Sequence, residues 1–408
     1  MSPRSAPTAA FAEIDDESPL LEGVEREEVH TGKQREGGGS ILSLSAGLTN
    51  TLVGTGCLAL PHAFASGGLI PGVLTVLWCG ATSAFGLYLL TRSATRAPHR
   101  AASFAELSKL TYPKLGRVFD AAIALKCIGV SCSYLIVIGS LAPRVVYSFD
   151  SSAPEWLLDR RLWILVAMTL LCPLAFLRKF DSLKVISYIS LCTVANLVFV
   201  VIYKSVINTS GLPPKGPVDL VALGPKFVSS LPVQIFAFTC AQNIFPVYNE
   251  LRANTQERLN EVIGFSIGSA AIVYEILGVL GYLTFGSLVG SNIIEMYPHS
   301  LLVSICQLGL VILVLFSYPL QLFPARASLD KVLFPPSEDD HPSAGDHATP
   351  DIPLGRFIVE SAFILCTTFT IAMFVSSLEV VLGFVGATGS TAISFILPAV
   401  FCESPFLV

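Results

Sequence analysis

Two glycines that flank one threonine lie in the middle of the first long apolar segment of the chain. The stretch reads Thr49-Asn-Thr-Leu-Val-Gly54-Thr55-Gly56-Cys-Leu-Ala-Leu-Pro61. Glycine weakens a helix, and proline removes a backbone donor and clashes with the preceding turn. A helix that unwinds inside a bilayer must line a cavity in the protein, because each lipid-exposed backbone group would be costly. Its free amides, at the positive end of the second half-helix, would then suit a carboxylate.

The same glycines would also suit close packing against a neighbouring helix, a common use of small residues in membranes. The polar residues around them favour binding instead, because intramembrane polar groups usually face a functional site. These residues are Thr49, Asn50, Thr51 and Thr55. We therefore predict that Gly54, Thr55 and Gly56 bind substrate, and that Asn50 and unwound carbonyls face an amino group or a coupling cation.

A second interruption follows in the apolar segment 227–249. Gln242 and Asn243 form a costly polar pair at membrane depth, and Pro246 follows three residues later, which predicts a second discontinuous helix. The two preceding phenylalanines would form apolar walls for a substrate side chain, or would contact lipid and core. The polar pair would bind substrate, or would bond to another helix. The predicted substrate residues in this segment are Phe236, Phe238, Thr239, Gln242 and Asn243.

Ionisable residues within apolar segments must pair, face water or change their charge state. We expect Lys126 to extend its ammonium group to the cytosolic surface and Glu379 to be solvated near a membrane edge. His62, beside Pro61, is expected to have a local structural role. Glu275 lies deeper and is a candidate proton carrier, because a desolvated carboxyl group favours its neutral form. The alternative for Glu275 is a neutral carboxyl group bonded within the helix bundle.

The elements that must position these residues are apolar helices. Hydrophobic residues make up 52% of the 408 residues and charged residues 13%, against about 25% charged residues in ordinary soluble domains. Ten apolar segments are near or above the ~20 residues that cross a bilayer, except the fourth, which is short. They are 41–66, 69–91, 118–149, 161–177, 184–207, 227–249, 261–285, 299–323, 356–376 and 379–402. This pattern predicts an all-α polytopic membrane protein with the lipid bilayer as its main partner.

Several classes of function are excluded or disfavoured by this composition. A soluble enzyme could not bury so much apolar surface, and no nucleophile–base pair or metal-binding set indicates a membrane-embedded enzyme. We therefore predict no enzyme activity and no cofactor other than a coupling ion. A net charge of -5 offers no basic surface for nucleic acid. A channel would need a continuous pore-lining polar stripe, and the sequence has none.

The distribution of Lys and Arg predicts the orientation of the chain. A cytosolic N-terminus places most of these residues in cytosolic loops, as the positive-inside rule requires. The glycosylation sequon Asn208-Thr209-Ser210 then lies on the opposite side. The predicted parts are a disordered acidic cytosolic tail at 1–39, a first half at 40–207, a non-cytosolic loop at 208–226, a second half at 227–402 with a cytosolic loop at 325–355, and a short tail at 403–408.

Four motifs in order carry a family resemblance that covers about residues 40–402. They are Thr49-Asn-Thr-Leu-Val-Gly54-Thr-Gly56, Gln242-Asn-Ile-Phe-Pro-Val-Tyr-Asn-Glu250, Phe316-Ser-Tyr-Pro-Leu-Gln321 and Phe384-Val-Gly386-Ala-Thr388-Gly389-Ser390-Thr391. With these motifs the chain resembles the amino acid/auxin permease family. Within that family it is most similar to the branch of sodium-coupled neutral amino acid transporters and fungal vacuolar amino acid transporters.

The resemblance implies a LeuT-like fold with two inverted five-helix repeats and discontinuous helices one and six. It also implies a secondary active transporter of neutral or polar amino acids that works by alternating access, without covalent chemistry. By position, Gly54, Thr55 and Gly56 match the segment that receives the substrate carboxylate. Asn50 and Ser317 match cation-site residues, so a Na+ site at these two residues is one expectation for the coupling ion.

Similarity to vacuolar relatives, together with Glu275 at depth, favours H+ over Na+ as the coupling ion. It also favours a vacuolar or lysosomal membrane over the plasma membrane, and we expect a monomer. The chain departs from the family pattern at Ala241, where many relatives carry histidine, and at Ser140, where aspartate is common. It also stops after the tenth predicted span, whereas the family usually has eleven, so a truncated gene model and a short form are both open. The alternative function is an amino acid sensor that signals through its cytosolic tail.

Overall fold

The computed structural model describes residues 38–96, 102–176, 183–207, 211–335 and 352–403, and the regular structure of these ranges is helical. The helices, in chain order, are α1 (Ile41–Leu52), α2 (Gly56–Gly67), α3 (Leu69–Ala94), α4 (Phe104–Thr111), α5 (Gly116–Phe149), α6 (Arg160–Ala175), α7 (Leu183–Ile202), α8 (Pro225–Ala237), α9 (Ile244–Glu250), α10 (Gln256–Phe285), α11 (Leu301–Leu333), α12 (Leu354–Phe374), α13 (Leu378–Val385) and α14 (Leu397–Glu403). Two π-helical turns, Gly386–Ser390 and Ala392–Ile396, join α13 to α14.

The described residues supply seven spans that are long and apolar enough to cross a bilayer. The bent pair α1–α2, whose halves meet at 57°, counts as an eighth. The predicted fourth span is short, since α6 has 16 residues. The predicted sixth span is divided into α8 and α9. The all-α membrane architecture is therefore confirmed, while ten spans and the repeat organisation stay predictions.

The two prolines that we expected to interrupt helices one and six do not end a helix. Pro61 lies inside α2, and Pro246 lies in the first turn of α9. An amide in the first turn of a helix has no intrahelical partner, so a proline there removes no bond. The first interruption instead covers residues 53–55. The second covers residues 238–240 and is followed by the 3-10 turn Ala241–Asn243.

The predicted cytosolic loop 325–355 begins too early, because α11 continues to Leu333 through two prolines. Packing against α12 holds this extension. Arg326 is fully buried, its guanidinium lies 3.9 Å from the ring centroid of Phe357, and it donates to the Ser361 hydroxyl at 2.9 Å. Residues 336–351 lie outside the described residues, as do most of the predicted acidic tail and the sequon at 208–210.

The packing of the half-helices brings the two interruptions side by side. α2 packs on α8 and α1 contacts α9, as expected if the two broken helices run antiparallel. α10 contacts α1 and α2 and so lies beside the first interruption. His62, for which we expected a local structural role, contacts α13: its Nδ1 lies 3.2 Å from a carboxylate oxygen of Glu379. The half-helices, α5, α10 and α11 are thus the elements that position the candidate site.

Candidate functional site between two broken helices

A single tyrosine on α10 contacts the last residue of both half-helices that precede the interruptions. The Tyr274 hydroxyl lies 2.6 Å from the carbonyl oxygen of Leu52, at the end of α1, and 2.7 Å from that of Ala237, at the end of α8. The side chain is fully buried, and its ring meets Phe238 edge to face at 4.9 Å. A hydroxyl group has one proton, so the two carbonyls share it. Both interruptions are therefore anchored at one point.

The first interruption leaves backbone amides available at the start of α2. The amides of Cys57 and Leu58 donate to the carbonyls of Gly54 and Thr55, at 3.3 and 3.2 Å. Within the described ranges, no backbone hydrogen bond is found for the amides of Thr55 and Gly56. The positive end of the α2 dipole lies at the same place. Free amides at the N-terminus of this 12-residue helix are suited to an anion such as a carboxylate.

Side chains join the two interruptions to each other and to α5. Asn243 donates a hydrogen bond to the hydroxyl oxygen of Thr51 at 2.9 Å. This bond to α1 is the alternative that we gave to a contact between Asn243 and substrate. The Thr55 hydroxyl lies 3.2 Å from that of Ser133 on α5. These bonds fix the irregular backbone on both sides of the unwound segment.

A small cavity lies between the two interruptions and the helices α5 and α11. Its lining residues are Thr51, Leu52, Gly54, Thr55, Gly56, Lys126, Val130, Tyr134, Phe236, Thr239 and Gln321. Five of the predicted substrate residues are therefore brought together at one cavity, namely Gly54, Thr55, Gly56, Phe236 and Thr239. The cavity volume is about 30 Å³, which accommodates water but not an amino acid. An amino acid would fit only if the half-helices lay further apart than they do in this conformation.

The other three predicted substrate residues do not line this cavity. Phe238 is 1% exposed and packs against Tyr274, and its carbonyl accepts a hydrogen bond from Ser83 of α3 at 2.8 Å. Phe238 thus packs in the core, which was the alternative to its predicted role as a wall for the substrate side chain. Gln242 is half-buried in the 3-10 turn, and Asn243 bonds to α1 as described above.

Sequence reasoning missed the side of the cavity that α5 and α11 form. The expectation that Lys126 reaches the cytosolic surface is wrong, since this residue is 3% exposed and lines the cavity. α5 begins at Gly116, so Lys126 lies about 15 Å along the helix, too far from its end for the side chain to reach water. Lys126, Val130 and Tyr134 recur every four residues. Such spacing marks one helix face, and this signal was available in the sequence.

The residues predicted to hold a coupling ion lie outside the cavity lining. No hydrogen bond joins Asn50 to Ser317 in the described part of the chain, and neither residue lines the cavity. Glu275 follows Tyr274 on α10, and both of its carboxylate oxygens are buried without a hydrogen-bond partner among the described residues. The same ranges contain no group of three or more His, Cys, Asp or Glu residues placed to hold a metal ion. The ion site therefore stays a prediction.

Two discontinuous helices that meet beside a buried cavity are an arrangement typical of membrane transporters. Residues 37–402 match the family model of the transmembrane amino acid transporter proteins. The chain belongs to this family. It is 42% identical over 384 residues to vacuolar amino acid transporter 5 of Schizosaccharomyces pombe, covering 93% of this chain and 86% of the relative. It is 37% identical over 394 residues to vacuolar amino acid transporter 6 of Saccharomyces cerevisiae, covering 87% of each chain.

The fold is similar to that of a solved transporter, Mhp1. The inward-facing conformation of Mhp1 matches with a TM-score of 0.63 at 11% identity, covering 92% of this chain and 78% of Mhp1. A closed conformation of Mhp1 with bromovinylhydantoin bound matches with a TM-score of 0.58 at 12% identity, covering 89% of this chain and 78% of Mhp1. At this identity the likeness concerns the fold alone. It supports the LeuT-like fold that the family resemblance implied.

The two glycines of the first interruption should respond differently to substitution. A Cβ atom at Gly56 would lie 3.1 Å from the Cα of Ala237 and 3.3 Å from the Phe236 ring, whereas one at Gly54 would meet nothing within 4 Å. Gly56→Val should push the two interruptions apart and abolish binding of radiolabelled amino acids, with the protein still inserted in the membrane. Gly54→Ala should weaken binding less than Gly56→Val, because its methyl group would enter the cavity without meeting a backbone atom. Gly264→Val on α10 is the matched control and should bind normally, because Gly264 does not line the cavity and a Cβ atom there would meet nothing within 4 Å. Wild-type affinity in Gly56→Val would contradict the assignment of this site.

Loss of the Tyr274 hydroxyl should affect both stability and binding. Tyr274→Phe removes the hydroxyl donor from both carbonyls, of which that of Leu52 keeps the Gly54 amide at 2.8 Å and that of Ala237 keeps no other donor among the described residues. We therefore expect a loss of about 1–3 kcal/mol in unfolding free energy and weaker amino acid binding. Melting in detergent and equilibrium binding would measure these two effects. Tyr318→Phe is the control, because Tyr318 is equally buried and its hydroxyl lies 2.6 Å from that of Thr368. The control should lower stability and leave affinity unchanged; equal affinity loss in both variants would refute a special role for Tyr274.

Proposed function

We propose that this chain is a secondary active transporter that moves neutral or polar amino acids by alternating access, with H+ as the coupling ion. The observation that carries the proposal is the junction of two broken helices at Tyr274, beside a small cavity lined by residues with free amides. The relatives named as vacuolar amino acid transporters support a vacuolar membrane. The distribution of Lys and Arg in the loops supports a cytosolic N-terminus. We retain the expectation of a monomer.

The lining of the cavity suits the parts of an amino acid. The free amides of Thr55 and Gly56 donate hydrogen bonds to the carboxylate at the positive end of α2. The Thr239 hydroxyl provides a polar contact, and Phe236 provides an apolar wall for the side chain. α1 and α9 pack together, as do α2 and α8, so separation of one pair opens the cavity to one side of the membrane. Separation of the other pair opens it to the opposite side.

Glu275 is our candidate for the proton-carrying group. Its carboxylate oxygens are buried without a partner among the described residues, and a charge in that position is unfavourable unless water reaches it. Opening of the bundle would hydrate Glu275 and allow it to exchange a proton, and closure would favour the protonated form. The neighbouring residue, Tyr274, holds the two interruptions, so both groups lie on the same turn of α10. A Na+ site at Asn50 and Ser317 is the competing candidate, favoured by their match to the family pattern.

Reconstituted flux tests the proposal directly. Purified protein in liposomes should accumulate radiolabelled neutral or polar amino acids when a pH gradient is imposed, in buffer without sodium. Collapse of the gradient with an ionophore should remove at least about nine-tenths of this uptake. If uptake continues after the pH gradient is collapsed but stops in sodium-free buffer, the coupling ion is Na+ and the proposal of H+ is wrong. Binding without flux of any amino acid, under either gradient, would refute the transporter and favour a sensor.

Substitution of Glu275 separates proton coupling from substrate recognition. Glu275→Gln cannot carry a proton, so accumulation driven by a pH gradient should be lost while exchange of labelled for unlabelled amino acid continues. Glu261→Gln is the control, because Glu261 is an exposed carboxyl group on the same helix. It should accumulate substrate as the wild type does. Full gradient-driven accumulation by Glu275→Gln would exclude Glu275 as the carrier.

A further inference from the structure

Lys126 is the charged side chain in the cavity between the two interruptions. The residue is 3% exposed and lies on the face of α5 that also carries Val130 and Tyr134. Across the same cavity lie Thr55 and Gly56, whose amides make no backbone hydrogen bond within the described residues. Two groups that attract anions, an ammonium group and the start of a helix, therefore face one small space.

Lys126 has no acidic partner in the described part of the chain. No Asp or Glu lines the cavity, and the ion pairs found among the described residues do not include Lys126. The titratable groups that act on it electrostatically are the thiols of Cys127 and Cys240, and ordinary thiols are neutral at pH 7. A buried ammonium group without a counter-charge is unfavourable. An anion that enters the cavity would remove this penalty.

The neighbouring helix holds Lys126 in place. Gly389, in the first π-helical turn after α13, packs directly on α5. A Cβ atom at this glycine would lie 2.8 Å from the Cβ of Lys126 and 2.8 Å from the carbonyl oxygen of Ala122. The start of the lysine side chain is thus covered on that side by the backbone of Gly389, and the residue lines the cavity. π-helical turns of this kind are frequent at functional sites.

We propose that the ammonium group of Lys126 binds a carboxylate of the transported amino acid, opposite the free amides at the start of α2. This inference rests on the proposed transport function and names a further substrate-binding residue for it. The carboxylate is either the α-carboxylate common to all amino acids or the side-chain carboxylate of an acidic one, and the two sources give different results in the test.

The test compares Lys126→Met, which removes the charge at similar length, with Lys126→Arg, which keeps it. Lys204→Met is the matched control, because Lys204 is 6% exposed and does not line the cavity. Equilibrium binding is measured on full-length protein for alanine, glutamine, aspartate, glutamate and alaninamide. Lys126→Met loses a hydrogen bond to a charged group, so it should bind at least about tenfold more weakly, which corresponds to about 1.4 kcal/mol. Lys126→Arg should stay within about threefold of the wild type.

The pattern across the ligands decides the source of the carboxylate. If the α-carboxylate binds Lys126, Lys126→Met loses affinity for all four amino acids, whereas its affinity for alaninamide matches that of the wild type. If a side-chain carboxylate binds, the loss is confined to aspartate and glutamate. Affinities within twofold of the wild type for every ligand, in a variant that melts as the control does, would overturn the proposal. If Lys126→Met does not insert into the membrane, Lys126→Gln is compared with Lys126→Arg instead. Equal affinities in those two variants would overturn the proposal.

The test also separates this inference from the proposed function. If the wild-type protein transports no amino acid, the proposed transport function is wrong, independently of the result for Lys126. Transport by the wild type together with unchanged binding in Lys126→Met refutes the role of the lysine and leaves the transporter standing.

Discussion

The hydrogen bonds of one buried hydroxyl group hold the centre of this structure together. A helix that stops inside a membrane leaves carbonyl groups without their usual amide donors, and lipid offers no replacement. Tyr274 supplies a donor to one such carbonyl in each interrupted helix, Leu52 and Ala237, and the Gly54 amide is a second donor to Leu52. Because a fixed side chain on α10 supplies the donor, the interruptions can persist without water, and the backbone amides at the start of α2 remain available for another partner.

Much of this fold and part of the site could be predicted from the sequence. The apolar segments, with little charge over long stretches, indicated membrane helices, and seven of them and one bent pair are long and apolar enough to cross a bilayer. The Gly54-Thr55-Gly56 triplet located the first interruption because glycine weakens a helix wherever it lies. The prolines were less informative. Pro61 and Pro246 are accommodated within helices, since the effect of a proline depends on its position in the turn.

The remaining parts depend on contacts between distant segments, which a local pattern does not reveal. Lys126 was assigned to the surface because it lies early in the predicted span 118–149, whereas its side chain is buried, lines the cavity and is packed against Gly389 of a distant segment. Phe238 was assigned to the substrate, but Tyr274 and α3 cover it. Gly54 and Gly56 look alike in the sequence, yet Gly56 alone of the two packs against α8. In each case the deciding neighbour is more than fifteen residues away or on another helix.

The bond between Asn243 and Thr51 has a consequence for how tightly solute movement is controlled. It joins α1 to the start of α9, the half-helices whose separation would open the cavity on that side of the interruptions, so this bond must break before they part. In a transporter that works as proposed above, the cost of breaking the bond would keep that side shut until a bound substrate compensates for it. An empty protein held shut in this way would let few small ions leak across the membrane.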